Sequence, residues 1–193
     1  MKRDRTTTLT CCLAVLLTLA ACSSGGPRST EFTNPRFNFG FVERVAVIPF
    51  ENLSNDRQAG ARATRLMITE LLATGAVDVV EPGEVQAALN QFGQRVTVPS
   101  TEQVITLGER LGVQALILGS VTESSVQRSG TVGIPVVSLD VHMVEAETGA
   151  TVWAASHTEK GGNLGARLLG TTGEPISETT RETVRAILDT LIN

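Results

Sequence analysis

From residue 42 onward, apolar positions recur with the periods that strands and helices impose. Residues 44–50 (RVAVIPF) form a short β-branched run suited to a buried strand. Residues 51–56 are a polar loop. Residues 59–73 read as a helix with Ala63, Met67 and Leu71 on one stripe, Leu66 beside it, and Gly75 as its stop. Residues 77–80 predict a second strand, and Pro82-Gly83 opens a short helix to residue 91. Ser100-Thr101-Glu102-Gln103 has the spacing of a capping box. The helix it starts should turn Val104, Leu107 and Leu111 inward and end at Gly112. Residues 115–122 (ALILGSVT) and 136–145 predict a third and a fourth strand. In the fourth, Leu139, Val141 and Met143 lie on one face, and Asp140 and His142 on the other. Residues 147–150 (ETGA) have turn chemistry, so residues 151–158 return as a fifth strand carrying Trp153. Val184, Ile187, Leu188 and Leu191 mark a last helix over 177–192. The order β-α-β-α-α-β-β-β-α predicts an α/β domain: one mixed sheet of about five strands, with an antiparallel hairpin and flanking helices.

The first 22 residues have a different pattern. Lys2, Arg3 and Arg5 precede an apolar run of 13 residues, 9–21 (LTCCLAVLLTLAA). A membrane-spanning helix needs roughly 20 residues, so this run reads as the core of a secretory signal. The sequence Leu19-Ala20-Ala21-Cys22 resembles the bacterial lipobox, in which diacylglycerol is joined to the cysteine sulfur and the bond before it is cut. Cys22 is therefore the expected lipidation site, and 1–21 the removed leader. Residue 23 is serine rather than the aspartate that marks inner-membrane retention in many Gram-negative bacteria. By that resemblance the expected location is the periplasmic face of the outer membrane. Residues 22–40 are expected to be the lipidated cysteine and a flexible tether, and 41–193 the folded domain.

Charge and composition narrow the chemistry. The formal net charge is −4, the leader holds +2, and the remainder therefore −6. An acidic chain is a poor match for nucleic acid, where affinity comes from neutralising phosphates. Of the three cysteines, Cys11 and Cys12 lie in the leader and only Cys22 remains. An intramolecular disulfide, a thiolate metal site and a cysteine nucleophile are thereby excluded from the mature chain. The only two histidines, His142 and His157, fall on the two strands of the predicted hairpin. A metal site between them would need a third ligand at defined spacing, and the expectation is two solvent-facing strand residues. The glycine-rich 161–165 lacks the lysine and hydroxyl of a phosphate loop. No nucleophile elbow is present. The expectation is a protein that is not an enzyme, with no cofactor, no metal and no evident small-molecule substrate.

Several stretches resemble a known family. Residues 44–52 (RVAVIPFEN), 66–72, 79–82 (VVEP) and Leu89 resemble the first half of the CsgG/HfaB-like periplasmic domain. Residues 111–120 (LGVQALILGS) resemble its Gly-Val strand, and 139–144 (LDVHMV) with Glu147-Thr148-Gly149 and Val152-Trp153 resemble its hairpin. The resemblance covers residues 42–160 and, more weakly, the final helix. It implies a fold like the amino-terminal domain of TolB, also found in LpoB, and a role in protein interaction. CsgG-like pores insert two hairpins, and a spanning barrel strand needs about 9–11 residues. Here the corresponding sites hold 13 residues (123–135), fewer than the roughly 20 such a hairpin needs, and 19 residues (159–177), which are glycine-rich and lack alternating apolar and polar positions. The preferred expectation is an accessory module for assembly or secretion, held at the membrane by lipid on Cys22 and associating with itself or with envelope proteins. The alternative is an LpoB-like activator of a peptidoglycan synthase.

Overall fold

The computed structural model describes residues 29–93, 98–129, 132–162 and 174–192. Among these residues seven strands form one open mixed sheet, and four α-helices pack on it. In chain order the elements are β1 (Ser29–Thr33), a 3-10 turn (Phe39–Phe41), β2 (Arg44–Val47), β3 (Glu51–Asn52) and α1 (Ala59–Thr74). Then follow β4 (Asp78–Val79), α2 (Pro82–Asn90), α3 (Thr101–Leu111), β5 (Ala115–Ser129), β6 (Val132–Glu145), β7 (Thr151–Lys160) and α4 (Ile176–Ile192). The strand order is β1-β7-β6-β5-β2-β4, with β3 also paired to β5. β2 is parallel to β4 and β5, while β5, β6, β7 and β1 are successively antiparallel.

Each helix forms for reasons visible in its sequence. The capping box of α3 is closed in both directions: the Ser100 hydroxyl accepts from the Gln103 amide, and the Gln103 side chain accepts from the Ser100 amide. Gly112 ends α3 at φ 60°, a left-handed cap that glycine adopts without a Cβ penalty. α2 starts on Pro82, with the Glu81 carboxylate accepting from the Gly83 amide.

Two apolar layers sandwich the sheet. On one face α1 and α4 bury Met67, Leu71, Val184 and Ile187 against Val45, Ile117, Leu139, Val141 and Trp153. The Trp153 indole N–H donates to the Thr190 hydroxyl of α4 at 3.2 Å. On the other face α2 and α3 bury Val85, Leu89, Val104 and Leu107 against Ala46, Ile48, Leu116 and Leu118. That second layer packs on β2 and β5. The rows of β6, β7 and β1 beside it stay partly exposed.

Three expectations are corrected. The sheet has seven strands rather than five, because β1 and the two-residue β3 join it. Residues 29–33, expected within the flexible tether, pair with β7 from Ser29↔His157 to Thr33↔Trp153. All five are exposed, so β1 is held by its ladder rather than by burial. Residues 123–135 were expected to be too few for an inserted hairpin; of these, 123–129 continue β5 and 132–135 begin β6, paired past a bulge between Val121 and Glu123. The second proposed insertion site, 159–177, begins at the end of β7 and runs into α4; its residues 163–173 lie outside the described residues.

Candidate functional site

Cys22 lies outside the described residues, and so does most of the glycine-rich stretch 161–165. The structure does place the two histidines, and it separates them. His142 pairs with Ala154, while His157 pairs with Leu139. Leu139 faces the α1–α4 layer and His142 the opposite face, so the rings sit on opposite sides of the sheet. His157 is buried, which corrects the expectation of a solvent-facing residue; its Nε2 lies 3.2 Å from Glu159 Oε2. His142 is half-buried, and burial pushes its pKa down. Among the described residues no group of three or more His, Cys, Asp or Glu side chains is placed to hold a metal ion. No helix among them is long and apolar enough to cross a membrane.

A polar cluster that sequence reasoning missed ties three elements and the loop before α1 together. Arg62 of α1 donates through Nη2 to Asp56 Oδ2 at 2.5 Å and to Ser124 Oγ at 3.0 Å, and through Nε to Thr180 Oγ1 at 3.2 Å. The Ser124 hydroxyl donates in turn to Asp56 Oδ2 at 3.1 Å. The hydrogen bond from Arg62 holds Asp56 below the usual carboxylate range, against the upward push of burial. Every member is bonded to another, which is the arrangement of a structural lock rather than of a reactive site. A second bridge joins the helices, with Glu70 of α1 lying 3.4 Å from Arg181 and 2.8 Å from Arg185 of α4. Neither cluster has a local sequence signal, since the partners are far apart in the chain.

Several shallow depressions mark the surface, among them the following two. On the open face, a shallow depression of about 480 Å³ runs over β6, β7 and β1. His142, Ala154 and Phe32 form one row across it, and Phe32 is 50 % exposed. At the end of the sheet near the 147–150 turn, a smaller groove lies between the 3-10 turn and the C-termini of α1 and α4. Phe39, Leu71, Val77 and Leu191 line it. Neither feature brings together a nucleophile, a base and an oxyanion donor.

The comparisons with known proteins bear on the fold. No family model and no curated protein sequence matches this chain. Solved structures do match in shape. PelC from Paraburkholderia phytofirmans, solved as a dodecamer, is 20 % identical and superimposes with a TM-score of 0.58, covering 86 % of this chain and 96 % of PelC. Lipoprotein GNA1162 from Neisseria meningitidis is 19 % identical with a TM-score of 0.53, covering 77 % of this chain and 97 % of its own. The hypothetical protein CT253 from Chlamydia trachomatis is 11 % identical with a TM-score of 0.53, covering 78 % and 95 %. This chain therefore has the fold that these three share, a mixed α/β domain built on a single sheet.

Proposed function

We propose that this protein is a lipid-anchored envelope protein whose α/β domain is a non-catalytic module that assembles with itself. The observation that carries the reading is the near-complete overlap with a chain solved as a dodecamer, 86 % of this one and 96 % of that one. Cys22 in a lipobox and the fold shared with a lipoprotein support the anchor. The CsgG-like sequence motifs support an accessory role in assembly or secretion at the periplasmic face of the outer membrane. The bonded polar clusters, with no group among the described residues set for bond making, support a role without catalysis.

Two measurements test it. Metabolic labelling with an alkyne fatty acid should mark the wild-type protein and leave Cys22→Ser unlabelled. Light scattering of the detergent-solubilised mature protein should give a mass several times that of the chain. A strict monomer across micromolar concentrations would remove the assembly part of the proposal and leave the anchor standing.

A further inference from the structure

The register of β1 fixes which end of the molecule faces the lipid. β1 is antiparallel to β7 and begins opposite His157, which itself lies opposite Leu139. The chain before Ser29 therefore arrives from the side on which β5 and β6 extend as the long hairpin. From the level of Leu139, β6 continues back to Val132. Those seven residues rise ~23 Å at about 3.3 Å each. Seven residues also separate Cys22 from Ser29. Fully extended, they reach at most ~25 Å. Fully extended, the tether thus only about matches the height of the hairpin, and any shortening from full extension draws the hairpin against the surface that holds the anchor.

The chemistry of the tip fits that position. Residues 124–135 (SSVQRSGTVGIP) hold no carboxylate, and their single charge is Arg128. The part of the chain after the leader carries −6, whereas the tip itself presents only Arg128; the Glu123 carboxylate below it is taken up by hydrogen bonds from Ser125 and Gln127. Val126 is 59 % exposed, and Gln127 and Arg128 are exposed beside it. An arginine can lay its aliphatic stem on apolar surface while its guanidinium meets phosphate. The opposite end of the sheet, at the 147–150 turn, carries Glu145 and Glu147 instead.

We infer that the short tether holds the tip of the β5–β6 hairpin, Val126 to Arg128, on the phospholipid headgroup layer, making it a second contact with the membrane besides the lipid on Cys22. The inference rests on the anchored reading above, and its test separates the two. Gln127→Cys and, as reference, Glu147→Cys are made in the full chain, which is processed and lipidated in its host; acylation blocks the sulfur of Cys22. Each is labelled with a fluorophore and reconstituted into phosphatidylethanolamine–phosphatidylglycerol vesicles bearing a headgroup spin label.

The label at 127 should lose most of its emission, and that at 147 should keep it. Inserting ten Gly/Ser residues after Ser24 adds up to ~33 Å of reach and should restore emission at 127. Flotation with the vesicles but equal emission at the two sites would overturn the inference alone. Quenching that survives the insertion would overturn the tether as its cause. Failure to float, with Cys22 open to the dye, would overturn the anchored reading itself.

Discussion

Asp56, Arg62, Ser124 and Thr180 show how much a few partly buried polar atoms decide in this fold. Arg62 is the shared donor, so its removal leaves Asp56 and Ser124 short of partners at once. Leaving buried polar groups unpaired costs about 1–3 kcal/mol. Arg62→Ala should lower stability by that amount in urea melts at pH 7. Arg185→Ala, which removes an exposed arginine from Glu70, should leave the midpoint unchanged within error. The pH dependence follows from the direction of the Asp56 shift. Its folded pKa lies below its unfolded value of about 3.9. The stabilisation is therefore complete above that value and is lost as pH falls through the folded one. Arg62→Ala should flatten the loss of stability between pH 4 and the acid limb, read from urea midpoints along the pH series. Glu182 has the opposite sign. Burial and the neighbouring Glu174 and Glu159 raise its pKa, so its ionised form opposes folding. Glu182→Gln should raise the melting temperature at pH 7.5, and raise it less at pH 4.5, where the wild-type carboxyl is closer to neutral.

At the scale of elements, α3 offers a contrast between what local sequence encodes and what only packing decides. Its start is written in Ser100 and Gln103, and Ser100→Ala should cost about 1 kcal/mol through the lost cap. Gly108 in its last turn looks like a weak point that alanine would repair by about 1 kcal/mol. The packing argues otherwise. A Cβ there would lie 2.5 Å from the Ala146 Cβ and 3.2 Å from its Cα, just after β6. Overpacking of this kind costs about 1–3 kcal/mol, and the neighbour is held by backbone. Gly108→Ala should therefore destabilise, with calorimetry as the check. The same division explains what could be read in advance. The stripes of α1, α3 and α4 and the alternation of β6 were legible because each element buries one face. β1 was not, because all five of its residues are exposed and no alternation marks it. The outer half of the β5–β6 hairpin was not, because residues 124–129 are mostly polar and the ladder holds them extended. His157 was misplaced because one residue of register decides whether a strand residue faces α4 or water. The Arg62 cluster had no chance of being seen, since it joins residues 56, 62, 124 and 180.

For the whole molecule, the unequal helix layers matter most. α1 and α4 cover one face of the sheet, while α2 and α3 cover only the part over β2 and β5. The β6-β7-β1 side is left with a shallow, largely apolar depression, and its outermost strand, β1, has one edge without a partner among the described residues. An exposed edge beside an apolar row is a template for association, and charge placed on it blocks pairing. In a self-assembling protein this is the surface that a neighbouring copy would cover. Phe32 stands at its rim, half exposed in the single chain and level with Ala154 and His142. Phe32→Asp should leave the stability of the isolated chain within roughly 0.5 kcal/mol, because the side chain is not part of the core. It should nevertheless reduce the mass seen by light scattering to that of a monomer. Leu72→Asp, at a similarly exposed apolar position on α1, is the matched control and should leave the assembly intact. An oligomer that survives Phe32→Asp but not Leu72→Asp would move the interface from the open sheet face to the helical side.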